Sequence, residues 1–354
     1  MRLPLRVEEI SAAWLTAALR ERLPGVTVDA CRILDVMPGT STKVRVGLDY
    51  AQAGREVALP ATLIVKGGFE EHSASMRPMY RTEMRFYRDV QRAIDLPSPR
   101  CWFAGEDETE QSVIILEDLR SRGVRFCDPL KPQTADEVAR RLEVMARYHA
   151  QTWNSNDFAP GGRFEWISGR HEGWSVVYQQ RYLEPSVWQH YMQLPRAAAV
   201  SSRLHDGRWM SAALRELGAD HRRGPACLCH GDTHLGNLYW DRDGTPGFFD
   251  PQVARAPWQF EVTYHLVAAL DPDARRRHER DLLRHYLEAL RSHGIDAPAA
   301  ADALEAYRRE IVYGLFIFLI NETRFQSEAV NTAYAARFGA AALDHGTRDL
   351  LGAA

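Results

Sequence analysis

Three things are scarce in this sequence: charge of one sign, cysteine, and long apolar runs. Lysine plus arginine number 44 against 47 acidic residues, a formal net charge of −3, so the basic excess of a general nucleic-acid binder is missing. No nucleic-acid partner is expected. The five cysteines, at positions 31, 101, 127, 227 and 229, are odd in number and mostly far apart, which reads as reduced thiols of a cytoplasmic protein, not as a disulfide frame. Cys227 and Cys229 lack a second Cys or His pair at finger-like spacing, so two thiols on one strand face are expected in place of a zinc site. The longest apolar stretch, Ile311 to Ile320, falls short of the ~20 residues needed to span a bilayer. A buried helix is expected there, with no membrane span. Glu8 and Glu9 in MRLPLRVEEISAAW interrupt the apolar run that a signal peptide needs, so secretion is not expected. Oligomeric state is left open by all of this.

What is present begins with enough material for a core. The 354 residues, 45% hydrophobic, suit one large bilobal unit or two domains. The chemistry concentrates in CHGDTHLGNLYWDRDGTPGFFDPQ, Cys229 to Gln252. Asn237 to Trp240 and Gly247 to Phe249 are short β-prone runs around Asp243-Gly244, a dipeptide that favours a tight hairpin turn. Such a hairpin is expected to fold Asp250 back toward Asn237 and to gather Asp232, Asn237 and Asp250. Two carboxylates and an amide so placed suit a hydroxyl nucleophile and magnesium-bound phosphates.

HGDTHLGN followed by FFDPQ resembles the catalytic loop and metal-binding aspartate of the kinase-like phosphotransferases. The resemblance is closest to the small-molecule branch, which includes aminoglycoside phosphotransferases, choline kinases and ecdysteroid-kinase-like proteins. It implies that Asp232 is the catalytic base, that Asn237 and Asp250 hold Mg2+, and that ATP is the phosphoryl donor. It also implies an α+β, bilobal protein-kinase-like fold, with a small β-sheet N-lobe over residues 1–119 and a larger, mainly helical C-lobe over 120–354. ATP would lie in the cleft between the lobes. His230, by the same resemblance, is structural.

Upstream, Val7 to Arg22 carries a helical stripe of Ile10, Trp14, Leu15 and Leu19, ended by Pro24-Gly25. CRILDVM and KVRVGLDY then read as strands about the turn Pro38 to Thr42. In position this turn resembles the phosphate-covering loop of the kinase-like fold. Gly39 is its one glycine, so a grip on phosphate would rely on backbone amides plus the hydroxyls of Thr40, Ser41 and Thr42. ATLIVK is a β-branched strand ending in Lys66, which resembles the kinase strand lysine that contacts ATP phosphates. In the helix expected over Ser75 to Ile94, Glu83 shares a face with Tyr87, Val90 and Ile94. A carboxylate among apolar neighbours needs a cation, and Lys66 is the natural one. SVIIL runs into Glu117-Asp118-Leu119, and ILEDL resembles the hinge that meets adenine, which makes Glu117 and Leu119 nucleotide-pocket candidates.

Thr134 and Glu137 form a T-x-x-E capping box opening a helix with Val138, Leu142, Met145 and His149 on one face; His149 is expected as a hydrogen-bonded core residue. The stretch from Trp153 to Trp209 is rich in aromatics, most of them expected to pack helices and one or two to line an acceptor pocket. Its acids, Asp157, Glu165, Glu172, Glu184 and Asp206, are balanced by arginines. A polycation site would show an acidic surplus. Glu261 stands where the family usually has an aspartate at the start of a helix, and a structural role beside the helix N-terminus is expected.

The activity expected is ATP- and Mg-dependent transfer of the γ-phosphoryl group to a hydroxyl of a small molecule, neutral or anionic and partly apolar. An aminoglycoside O-phosphotransferase is the alternative within that class. A catalytically silent nucleotide-binding regulator is the alternative outside it.

Overall fold

Alternating β-branched residues and a handful of capped amphipathic helices build two units in the chain, for which the computed structural model describes residues 1–51 and 60–352. Unit one comprises Met1–Arg125 and Trp240–Pro251; unit two comprises Phe126–Tyr239 and Gln252–Ala354.

In unit one, α1 (Ala12–Arg20) is followed by β1 (Val28–Met37), β2 (Thr42–Tyr50) and β3 (Thr62–Gly67), then α2 (Ser73–Arg85), β4 (Cys101–Glu106), β5 (Ser112–Glu117) and the short α3 (Leu119–Arg122). The strands form one antiparallel sheet in the order β1-β2-β3-β5-β4. Period-two alternation sets its faces. Val44, Val46, Leu48, Leu63, Val65, Val113 and Ile115 point to a core closed by Leu15, Ala18 and Leu19 of α1. Each such side chain, once buried, contributes about 1.5–3 kcal/mol. Lys43 and Lys66, directly paired in the β2–β3 register, project from the opposite face, where α2 lies.

Two expected helices are shorter than their periodicity. The first is preceded by a separate 3-10 turn at Val7–Glu9, because Ser11 caps α1 by accepting a bond from the Trp14 amide. The second leaves α-geometry after Arg85 for a π-helical turn, Phe86–Val90. Tyr87, Val90 and Ile94 are nonetheless buried.

A brief β6 (Arg125–Phe126) precedes α4 (Ala135–Gln151), whose Thr134–Glu137 capping box is fully formed. Then come α5 (Gly173–Leu183), α6 (Pro185–Tyr191), α7 (Pro195–Ala198) and α8 (Gly207–Arg223). β7 (Cys227–Cys229) pairs antiparallel with β10 (Ala254–Ala256); β8 (Leu238–Trp240) and β9 (Pro246–Phe248) flank the Asp243-Gly244 turn. The chain closes with α9 (Trp258–Ala269), α10 (Pro272–Ser292), α11 (Ala300–Ile320), α12 (Glu328–Asp344) and α13 (Thr347–Leu350). α10 packs on α4, and α11 lies against α8, α9 and α12. The run from Ile311 to Ile320 is the buried part of α11. Among the described residues, no helix is long and apolar enough to cross a membrane.

The α11–α12 contact is close because Gly314 has no side chain: a Cβ there would meet the Phe338 ring at 2.0 Å. Gly314→Ala is therefore expected to destabilise the fold by about 1–3 kcal/mol, although alanine is the better helix former. The drop would be read in the denaturant midpoint. An unchanged midpoint would mean that the Phe338 ring moves aside without cost.

Candidate active site

Unit one holds a four-charge cluster on the α2 side of its sheet. Lys66, 4% exposed, donates to Glu83 at 2.7 Å and to Asp250 Oδ1 at 2.7 Å. Lys43 lies 3.1 Å from Asp250 Oδ2. The Lys66–Glu83 pair is thus the one that helical spacing in α2 called for. Burial alone would lower the Lys66 pKa, but Asp250 and Glu83 hold it above its ordinary value as an ammonium. Burial pushes the Glu83 carboxyl up against the pull of Lys66. Asp250 behaves differently. Burial would raise it too, yet Lys43 and Lys66 together hold it well below the usual carboxylate range. Asp250 takes a left-handed backbone, φ 56°, a conformation that aspartate tolerates better than most side chains. Its carboxylate is anionic and suits a hard cation.

Unit two holds the HGDTHLGN motif. Asp232 follows Gly231, whose φ of 86° and lack of Cβ are both required: a Cβ would meet the Gln252 carbonyl oxygen at 2.1 Å. The Asp232 carboxylate is 31% exposed. Its Oδ2 accepts from the Asn237 side-chain amide at 2.9 Å, and its Oδ1 from the Tyr264 hydroxyl at 3.2 Å. Burial and the Asp232 charge push the Tyr264 phenol well above its ordinary pKa, so it stays a neutral donor. Because Asn237 turns its nitrogen to Asp232, its Oδ1 is the atom left for a metal. His234 Nε2 stands 3.6 Å from Asp232 Oδ2. His230 is fully buried, and its Nδ1 accepts the Asp232 amide. It has no solvent face from which to relay a proton.

Behind the loop sits Glu261, on the first turn of α9. It accepts from the backbone amides of His230 and Gly231 at 3.1 and 2.8 Å, from the Tyr148 hydroxyl at 2.5 Å, and faces His149 Nε2 at 2.9 Å. The helix dipole is therefore not the main use of this carboxylate: it ties the loop backbone to α4. Burial would raise its pKa, but His149, His230 and Tyr148 bring it below the ordinary value. Arg170 closes the loop from the other side, donating to the carbonyls of Gly231 and Gln252 at 2.8 and 2.5 Å.

The remaining candidates are placed as follows. Gly39, Thr40 and Ser41 form the β1–β2 turn, and Thr42 opens β2. The Thr42 hydroxyl is buried and donates to Glu70 at 2.9 Å, while the Thr40 carbonyl accepts from Tyr80. Glu117 ends β5, with Oε1 taken by the Arg100 amide at 2.8 Å and Arg122 at 2.6 Å. Leu119 begins α3 and is 7% exposed. Asp118 between them accepts from Arg45 at 2.7 Å and Thr62 at 2.8 Å. Asp232 and Asn237 belong to unit two, whereas Asp250, Lys66, Glu83 and the turn belong to unit one.

Residues 40–160 match the ecdysteroid kinase-like family. No curated protein matches the sequence. Among solved structures, spectinomycin phosphotransferase in complex with ADP and spectinomycin is similar at TM-score 0.52 and 13% identity, covering 96% of this chain and 99% of that one. A putative aminoglycoside phosphotransferase from Ralstonia eutropha gives 0.51 and 13%, covering 96% and 97%. An aminoglycoside 2'-phosphotransferase-IIIa variant in its GDP complex gives 0.50 and 10%, covering 93% and 99%. The chain is similar in fold to these phosphotransferase structures. At these identities the structures speak for that fold alone.

Sequence reasoning passed over several residues of this phosphotransferase fold. Strand alternation puts Lys43 on the face opposite Val44 and Val46 but says nothing about what faces it there. Tyr264 lies well beyond the motif and reaches Asp232 only through the packing of α9. His234 sits inside HGDTHLGN, where its position was the available signal. Cys227 and Cys229 are fully buried on β7 with sulfurs 3.9 Å apart. Their neighbour His149 has Nδ1 2.8 Å from the Tyr286 hydroxyl and Nε2 on Glu261. Both ring nitrogens are engaged, as expected for a core histidine.

His149 supplies a pH test. Burial would lower its pKa, but Cys229 and Glu261 outweigh burial and raise it from 6.5 to about 9. A raised folded-state pKa means this contribution is complete below about pH 6.5 and is lost as pH rises through about 9. Unfolding free energy should therefore fall across that window in the wild type, and His149→Gln, less stable at the acidic end, should flatten the slope. Parallel curves for the two proteins would place the proton elsewhere.

Proposed function

We propose that the chain transfers the γ-phosphoryl group of ATP to a hydroxyl of a small, neutral or anionic, partly apolar molecule. The observation that carries this reading is the contrast between its two aspartates. Asp250 is held anionic between two ammonium groups, whereas Asp232 meets, among the described residues, the Asn237 amide, the Tyr264 hydroxyl and the ring of His234. Two carboxylates in such different surroundings suit two different tasks.

In this reading Asp232 orients the acceptor hydroxyl and receives its proton, with Asn237 and Tyr264 fixing the carboxylate rotamer. Lys66, positioned by Glu83, binds phosphate oxygens. The amides of Gly39 to Ser41, with the Thr40 and Ser41 hydroxyls, assist it. Glu117 and Leu119 meet the nucleobase through their backbone, since the Glu117 side chain already holds Arg100 and Arg122. Magnesium would neutralise charge on the phosphates; Asp250 in unit one and Asn237 Oδ1 in unit two each offer the kind of oxygen ligand it takes.

Charge in unit two supports a neutral or anionic acceptor. Asp157 pairs with Arg163, Glu172 with Arg255 and Asp206 with Arg348, so three of the five acids of the aromatic stretch already have an arginine as counter-ion. An aromatic series on α5 supports partly apolar character: Trp174, Tyr178 and Tyr182 follow one another at ring distances of 5.1 and 4.7 Å. Trp188 and Trp209, by contrast, donate to the carbonyls of His205 and Leu351 and pack helices.

Magnesium-dependent ADP release from ATP, measured over aminoglycosides, hydroxyacyl thioesters, sterols and amino alcohols, tests the reading. Asp232→Asn should lower turnover on the order of 10²–10⁴-fold while sparing ATP binding, and Asp250→Ala should weaken binding of the magnesium–nucleotide complex. Full turnover by Asp232→Asn would remove it as the base. Turnover with aminoglycosides alone would favour the antibiotic-directed alternative, and tight nucleotide binding without turnover a silent regulator.

A further inference from the structure

Lys43 and Lys66 are direct cross-strand partners in the β2–β3 register, so their side chains leave the same face of the sheet side by side. Like charges directly opposite each other destabilise a strand pair unless an anion lies between them. Here the anion is Asp250, with one oxygen toward each lysine, at 3.1 Å for Lys43 and 2.7 Å for Lys66. With Glu83 on Lys66, the cluster of two ammonium groups and two carboxylates is neutral.

A divalent cation on Asp250 would break this balance. The carboxylate would be shared with the metal, and the cluster would carry a surplus of positive charge that only another anion could offset. The two lysines are not equally able to respond. Lys66 is 4% exposed and is anchored on Glu83, whereas Lys43 is 31% exposed, with Asp250 as its ion-pair partner among the described residues. Lys43 also follows directly on the Gly39–Thr42 turn, which Thr42 pins through Glu70.

We propose that Lys43 is a second polyphosphate-binding lysine, docked on Asp250 in the nucleotide-free protein and transferred to the phosphates of a nucleoside triphosphate when magnesium takes that carboxylate. This rests on the phosphotransferase reading above. The two lysines then divide the work: Lys66 is a fixed charge, and Lys43 is one that exchanges partners.

Binding of ATP, ADP and adenosine to wild type, Lys43→Met and Lys43→Arg, titrated with magnesium and with chelator, tests this directly. Loss of a charged contact to phosphate should weaken ATP binding of Lys43→Met in magnesium by about tenfold or more. Adenosine binding should not change, the ATP loss should shrink in chelator, and Lys43→Arg should recover most of the affinity. If Lys43 is only a counter-ion for Asp250, the sign reverses: Lys43→Met frees the carboxylate, and magnesium–ATP binds as tightly as in wild type or more tightly. That result would overturn the proposal and leave the phosphotransferase reading standing. Failure of the wild type to bind any nucleotide would overturn both. A second measurement needs no variant. Acylation of the wild-type Lys43 amine, followed by mass spectrometry, should be suppressed by magnesium–ATP and not by adenosine, and increased acylation with magnesium–ATP would also overturn the proposal.

Discussion

A lysine buried on a sheet face keeps its charge only if anions come to it, and the amino-terminal unit is arranged to bring them. Lys66 is 4% exposed; without Glu83 and Asp250 its ammonium would be an uncompensated buried charge, a condition that costs about 3–5 kcal/mol when one partner of such a pair is removed. The sheet supplies the lysine, helix α2 supplies Glu83 from a position whose helical neighbours are buried, and Asp250 arrives on a backbone bent into left-handed geometry just beyond β9. Three elements distant in sequence are thereby held to one point. The same electrostatics keeps Asp250 ionised.

The second unit depends on a comparable constraint around one carboxylate. Glu261 takes bonds from two backbone amides of the loop that carries Asp232, and from Tyr148 and His149 of α4. Backbone amides in a buried turn need acceptors. Here a single side chain provides them and couples loop, α4 and α9. With Arg170 holding the Gly231 and Gln252 carbonyls, the loop around Asp232 has little freedom. In the proposed reading, where Asp232 is the base that meets an acceptor hydroxyl, such rigidity would favour the reaction.

Local physics made parts of this legible in advance. The Thr134–Glu137 capping box, the alternation of Val44 and Val46 with Lys43 and Arg45, the burial of His149 and the Lys66–Glu83 pair all follow from rules acting over a few residues or along one helix face. Other features escaped for a common reason. The π-helical turn after Arg85 has no period of its own in the sequence. The Thr42 hydroxyl, a phosphate candidate, donates to Glu70, well downstream. The Glu117 side chain accepts from the Arg100 amide and from Arg122, partners that the ILEDL pattern does not name. In each case the deciding partner lies outside the window over which sequence pattern carries information.

The sequence by itself determined which chemical groups the motifs carry: HGDTHLGN and FFDPQ place a carboxylate, an amide and a second carboxylate at fixed chain spacing, and residue type sets what each can donate, accept or ligate. It also determined which faces of helices and strands are apolar, because periods of 3.6 and 2 are written into the chain. Only the tertiary structure decided which charges neutralise which. That Asp250 lies between Lys43 and Lys66, that Glu261 holds the catalytic-loop backbone, and that Tyr264 reaches Asp232 are outcomes of packing between elements far apart in sequence. Electrostatic partnership depends on distance in space, which the order of residues does not state.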